Sequence, residues 1–290
     1  MFSIIEKQLA KPLYKDFSEF SHAVLCGQSP LNQQGILEIT MRCTNMSQVF
    51  ACAYRCAMQI LIPELRTNQW AAMCVTEEAG NHPKHIQTYL KGGEIYGSKS
   101  FVTMGDLAKQ LIVLVKQGEK NDRPDLKAVL VDSEQDGVQI QSFGPLNMLS
   151  DVPHSKVDFE RANATVLAGD GYQDYSKVFR TIENVCVLLA SSAFIFSLSK
   201  RNDLPLSIAQ QSLSLIGQLY AMSLYESPWL HVYLDKVYQD FDELILSFES
   251  HFDEFDNDFV EAWHKDKKLF KLAQSARHIR FDKAKTELAY

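Results

Sequence analysis

The chain has 290 residues, 46% of them hydrophobic and 22% charged, a composition that excludes wholesale disorder and a fibrous architecture and allows one large or two unequal domains. Its 29 Lys and Arg stand against 36 Asp and Glu, a formal charge of -7 that repels a phosphate backbone, so no nucleic-acid partner is expected. The first ten residues carry Glu6 and Lys7 and lack the basic start and apolar middle of a secretion signal, which points to a cytoplasmic location.

From residue 1 to about 70 the apolar spacing is helical. Ile4, Ile5 and Leu9 begin one amphipathic segment, and "ILEITMRCTNMSQVFACAYRCAMQILI" (36 to 62) supports a long helix or helix pair that Pro63 ends. The six cysteines (26, 43, 52, 56, 74 and 186) form no C-x-x-C framework and are expected to be reduced. Cys52 and Cys56 share a helical face, but no His or carboxylate stands nearby at ligand spacing, so they read as small buried apolar residues and no metal is expected.

Between 71 and about 170 the period shortens to two. Strands are predicted at 71–77, 85–90, 94–103, 110–116, 127–132, 137–143 and 156–166, divided by Gly92-Gly93, "KNDRPD", "EQDG" and "SDVPHS". Short strands at this spacing, with no helical patterns between them, indicate an antiparallel barrel or sandwich and argue against a dinucleotide-binding βαβ fold.

From 171 to 290 the pattern is helical again, with helices predicted at about 172–200, 205–248 (with a break near Pro228) and 256–286. The densest apolar stretch, "VCVLLASSAFIFSL" (185 to 198), falls short of a bilayer span and reads as a buried bundle helix, so no membrane partner is expected. "HFDEFDNDFVEAWH" (251 to 264) is dense in carboxylates but lacks EF-hand spacing, and Phe252, Phe255 and Phe259 fit a bundle contact with an acidic outer face.

This order, with three ordered motifs, resembles the acyl-CoA dehydrogenase family. "VTEEAGNH" (75 to 82) stands where that family has T-E-P-x-A-G-S-D, and "YGSKSFVTMGDLA" (96 to 108) where a strand carries N-G-x-K and then W-I-T or F-I-T. "SKVDFERANATVL" (155 to 167) matches the closing D-V-x-V-P strand more loosely. "SKVFRTIENVCVLLASSAF" (176 to 194) resembles the first C-terminal helix, and "KKLFKLAQSARH" (267 to 278) a later helix reading A-K-x-F-A. The resemblance is to a truncated, divergent member with an α+β fold: N-terminal helices (1–70), a central antiparallel β-domain (71–170) and a trimmed C-terminal bundle (171–290).

What the resemblance implies is an FAD-dependent oxidoreductase of fatty acid metabolism, acting on the CH-CH bond of an acyl thioester. Thr76, Asn81, Phe101, Val102 and Thr103 would border the flavin, and Arg180 would lie near the thioester. A homo-oligomer, or a pairing with a full-length relative, would follow. Read singly, Phe101 is equally a core aromatic, Thr103 a strand residue and Thr76 a strand-end cap.

The departures concern chemistry. The turn after Thr76 lacks the Pro and replaces Ser-Asp by Asn81-His82; R-x-x-F-G is absent from the connection at 197–211; and the Q-x-x-G-G-x-G segment with its catalytic Glu would fall beyond Tyr290. The alternative family position for the base, just before the Arg, is Phe179. The catalytic base is therefore unassigned and activity is expected to be impaired. Glu183, three residues after Arg180 on the same helical face, is the remaining candidate, although the spacing equally suits a simple Arg-Glu pair. Glu77 and Glu78 qualify only if their turn points inward. The alternative reading is a non-catalytic protein of this fold that binds a ligand or serves as a partner subunit.

Overall fold

Helical spacing in the first part of the chain produces α1 (Phe2–Leu9), α2 (Phe17–Cys26), α3 (Gln33–Thr40) and α4 (Met46–Leu61). The computed structural model describes residues 1–26, 32–222, 224, 227–272 and 274–289. The expected helix or helix pair at 36–62 is a pair: the first ends at Thr40, and Asn45 caps the second, its side-chain oxygen accepting from the Gln48 N–H. Nearly the whole surface of α4 is buried, Cys52 and Cys56 included. Arg55, 1% exposed, donates to the Arg66 carbonyl at 2.9 Å and to Gln59 Oε1 at 3.2 Å, tying the helix to the linker that follows.

Alternating residues then form β1 (Trp70–Cys74), β2 (Tyr89–Lys91), β3 (Glu94–Thr103), β4 (Ala108–Lys120), β5 (Arg123–Asp132), β6 (Val138–Ser142), β7 (His154–Asn163) and β8 (Thr165–Val166). The sheet runs β6-β7-β3-β2-β4-β5-β8, with β1 added alongside β4. It is mostly antiparallel, with two exceptions to expectation: β1 and β2 each pair with β4 in parallel. β1 is fed from α4 rather than from a hairpin, so nothing constrains it to run against its neighbour. The strand expected over 85–90 begins only at Tyr89, since Pro83 starts a short 3-10 turn through His85. The sheet curls, and beyond β1 the Thr76 carbonyl accepts from the Ser100 N–H of β3 at 2.8 Å.

Asp170 opens the C-terminal part, its carboxylate accepting from the Tyr172 and Gln173 N–H groups of a π-helical turn (Gly171–Ser176) that runs into α5 (Lys177–Arg201). By length and apolar content the span Gly171–Arg201 could cross a membrane, contrary to the reading of 185–198 alone, but 83% of its most apolar window is buried in the protein. It packs on α3, α4 and α6 (Leu206–Tyr220) as the central helix of the bundle. The break expected near Pro228 is real: α7 (Pro228–Glu249) starts there, capped by Ser227.

The single helix expected over 256–286 is three: α8 (Asn257–Asp266), α9 (Leu269–Leu272) and α10 (Gln274–Glu287). At the end of α8 the Asp266 carboxylate accepts the Leu149 N–H at 2.7 Å, fixing the helix end to the loop before β7. Phe252, Phe255 and Phe259 pack with Phe248 and Trp263 in one aromatic cluster, edge-on to Phe248 at Phe252 and Phe255 and stacked between Phe255 and Phe259, which explains the spacing of aromatics among the carboxylates.

Candidate active site

The turn after β1 is built around one buried ion pair. Glu77 and Gly80 exchange backbone hydrogen bonds of 3.0 and 2.9 Å, and Gly80, at φ +105, takes a conformation that side chains disfavour. This turns Glu77 inward and leaves Glu78 and Asn81 exposed. Lys99 of β3, fully buried, reaches Glu77 Oε1 at 2.7 Å, while the Gln87 and Thr88 N–H groups and the Thr88 hydroxyl also donate to that carboxylate. Thr88 approaches so closely because Gly97, opposite it, has no Cβ; one built there would lie 2.7 Å from the Thr88 Cα. Burial works to raise the Glu77 pKa, but the charge and hydrogen bond of Lys99 and the backbone donors outweigh it and hold it below the usual value. Glu77 is therefore occupied structurally and is not placed to act as a base.

Beyond Lys99 the strand breaks register between Lys99 and Val102. Phe101 sits at φ 52 and Met104 at φ 62, in the left-handed region that bulky residues avoid. The bulge turns Phe101 outward: it is 60% exposed, with its ring 5.2 Å from that of Phe143. Phe101 is thus no core aromatic. Val102 points into the core. Thr76 is half-buried, and its carbonyl is taken by Ser100.

Thr103 faces a cavity of about 260 Å³ between the end of the β-domain and the bundle. Its walls come from Phe50 of α4, Leu146, Met148 and Leu149 of the loop before β7, His154, Glu183, Asn184, Val187 and Leu188 of α5, Tyr238, Phe241 and Asp242 of α7, Leu269, Phe270 and Leu272 of α9, and Arg277 of α10. The lining is mostly apolar with a few polar groups, the usual make-up of a small-molecule site. Spacing on α5 is the reason Glu183 arrives there. Phe179, one turn earlier, fills the core edge-on to Tyr54 at 5.6 Å, and Glu183 is the next residue on that stripe.

Burial raises the Glu183 pKa from 4.5 to about 7, with Arg180 pulling weakly the other way. The two residues close no ion pair, so the simple Arg-Glu reading of their spacing does not hold, and Arg180 lies off the cavity wall. Thr103 Oγ1 lies 3.2 Å from His154 Nε2, and His154 Nδ1 lies 3.0 Å from the Val152 carbonyl. Burial lowers the His154 pKa against the upward pull of the Val152 hydrogen bond and the Asp106 charge.

Of the residues named from the sequence, the structure brings Thr103 and Glu183 to one cavity and puts Thr76 and Phe101 at the adjoining strand end. Asn81 and Arg180 are left outside the cavity lining. His154, Tyr238 and Arg277 were not anticipated. His154 stood within "SDVPHS", which reads as a turn, and the other two lie on long helices where only tertiary packing selects a face.

No family model and no curated protein sequence matches the chain. Solved structures do. PigA with FAD and proline superposes with a TM-score of 0.69 at 13% identity, covering 99% of this chain and 93% of that one. A Mycobacterium smegmatis protein described as an acyl-CoA dehydrogenase gives 0.63 at 12% identity, covering 99% and 88%. The prolyl acyl carrier protein oxidase AnaB gives 0.62 at 13% identity, covering 87% and 82%. Identities this low speak to architecture alone, and with the α-β-α order and the curled sheet they establish that this chain has the acyl-CoA dehydrogenase fold.

Proposed function

We propose that the chain is an FAD-dependent oxidoreductase of the acyl-CoA dehydrogenase type, acting on the CH-CH bond of an acyl thioester, with Glu183 as the proton acceptor. One observation carries this reading: a carboxylate with a pKa near 7 shares a cavity with Thr103, which follows the outward-turned Phe101 by two positions on one strand. A buried carboxyl tuned toward neutrality is what a general base at physiological pH requires.

The residues present fit a flavin. Phe101 and Phe143 offer two exposed aromatic faces, inclined at 60° to one another, and the strained backbone at Phe101 and Met104 costs about 1–3 kcal/mol each, strain of a kind that clusters at ligand sites. Thr76 and Thr103 supply hydroxyls at the same strand end, and Val102 contributes backbone only. When bound there, FAD supplies the two-electron acceptor for the hydride that leaves the acyl β-carbon.

The chain's own task is the α-proton. Deprotonated Glu183 takes it, the Cα–H electron pair becomes the new double bond, and Arg180, one turn away, favours the ionised form of the base. Apolar walls from Phe50, Val187, Leu188 and Phe241 flank that half-buried carboxylate and limit its hydration. At about 260 Å³ the cavity is small for a ligand site, which favours a short or cyclic acyl group over a long chain. The proline in PigA is a small cyclic ligand.

Anaerobic mixing of FAD-loaded protein with a panel of short-chain acyl thioesters tests the reading. Bleaching of the flavin band by at least one member, abolished in Glu183→Gln, is expected. FAD uptake without bleaching by any thioester would favour a non-catalytic, ligand-binding protein.

A further inference from the structure

We infer that His154 is a positioning residue that sets whether the Thr103 hydroxyl presents an acceptor or a donor to the cavity. The Val152 carbonyl only accepts, so the ring nitrogen 3.0 Å from it, Nδ1, carries the proton. In the neutral imidazole Nε2 is then an acceptor, and the Thr103 hydroxyl 3.2 Å away must donate to it, leaving its lone pairs to the cavity. Protonation places a hydrogen on Nε2 as well, reverses that bond and frees the Thr103 hydrogen to donate into the cavity. The hydroxyl thus changes polarity without moving.

Burial favours the neutral, acceptor-presenting state, with Asp106 acting in the opposite sense. The other titratable or charged groups on the same cavity are Glu183 of α5, Tyr238 and Asp242 of α7 and Arg277 of α10. Of these, Glu183 also titrates near neutrality and must be neutralised by substitution if His154 is to be seen alone. The consequence for a bound flavin rests on the function proposed above; the hydroxyl's direction does not.

Long-range proton-nitrogen NMR of ¹⁵N-histidine protein without added FAD decides the first point and needs no His154 variant. The expected result is the Nδ1–H form near neutral pH, with a titration below the ordinary value of about 6.5, and an Nε2 signal that moves in Thr103→Val. An Nε2–H form, or an Nε2 signal indifferent to Thr103→Val, overturns the assignment.

FAD affinity measured across the His154 titration in a Glu183→Gln background decides the second. A change of about tenfold, the scale of one unmade hydrogen bond, is expected and should vanish in Glu183→Gln/His154→Gln, where the amide accepts from Thr103 at every pH. An unchanged pH dependence in that variant overturns the switch. Absence of FAD binding at any pH together with the Nδ1–H form overturns the flavin reading and leaves the Thr103–His154 arrangement standing.

Discussion

Replacing Glu183 by Gln separates the cost of the cavity carboxylate from its use. In the folded protein the group titrates at about 7 rather than 4.5, and at about 1.4 kcal/mol per pH unit that rise corresponds to about 3 kcal/mol. The folded pKa lies above the unfolded one. The stabilising contribution is therefore fully present below the unfolded value and is lost as pH rises through about 7.

Gln keeps the shape and stays neutral. Glu183→Gln should therefore match the parent near pH 4 and exceed it by up to about 3 kcal/mol near pH 8, read from urea midpoints at several pH values. The same substitution should remove turnover, and in the parent kcat/KM should fall below about pH 7 as the base protonates. A stability difference that does not grow with pH would refute the buried acid, and with it the reason for choosing Glu183.

Three further outcomes follow from the geometry. Lys99→Met should destabilise the fold by about 3 kcal/mol in chemical denaturation, since it leaves Glu77 buried with its backbone donors but no counter-charge; the double variant Glu77→Gln/Lys99→Met should lose less. Phe101→Ala, at an exposed position, should change stability by no more than about 1 kcal/mol yet weaken FAD binding at least tenfold in a fluorescence titration. Asp266→Ala strands the Leu149 N–H and should cost about 1–3 kcal/mol, with faster hydrogen exchange at Leu149, which helps wall the cavity.

Much of the fold was legible in the sequence because its periods are clean. The alternation over 94–103 gave a strand whose limits the structure repeats, that over 127–132 gave the end of a strand that begins earlier, at Arg123, and Pro228 marked a helix start. The parallel pairing of β1 with β4 was not legible, since alternation states which face is buried and not which way a neighbour runs. Nor was the division of 256–286 into three helices, or the bond from the Asp266 carboxylate at the first division to a backbone amide 117 positions away.

The site divides the same way. Thr76, Phe101 and Thr103 were singled out through ordered motifs, and the bulge that exposes Phe101 is a three-dimensional event that periodicity does not report. Glu183 was visible only as a neighbour of Arg180; what distinguishes it is a cavity assembled from β3, the loop before β7 and four helices besides its own. His154 was lost in a turn signal because its partner Thr103 is set by the pairing of β3 with β7, which periodicity does not report.

The most direct test of the central claim is a titration of purified, flavin-free protein with FAD followed by anaerobic addition of short acyl thioesters, with Glu183→Gln beside the parent. The account predicts uptake of one FAD per chain by both proteins and bleaching of the flavin band in the parent alone. Protein that takes up no FAD, or a Glu183→Gln variant that bleaches as fast as the parent, would contradict it.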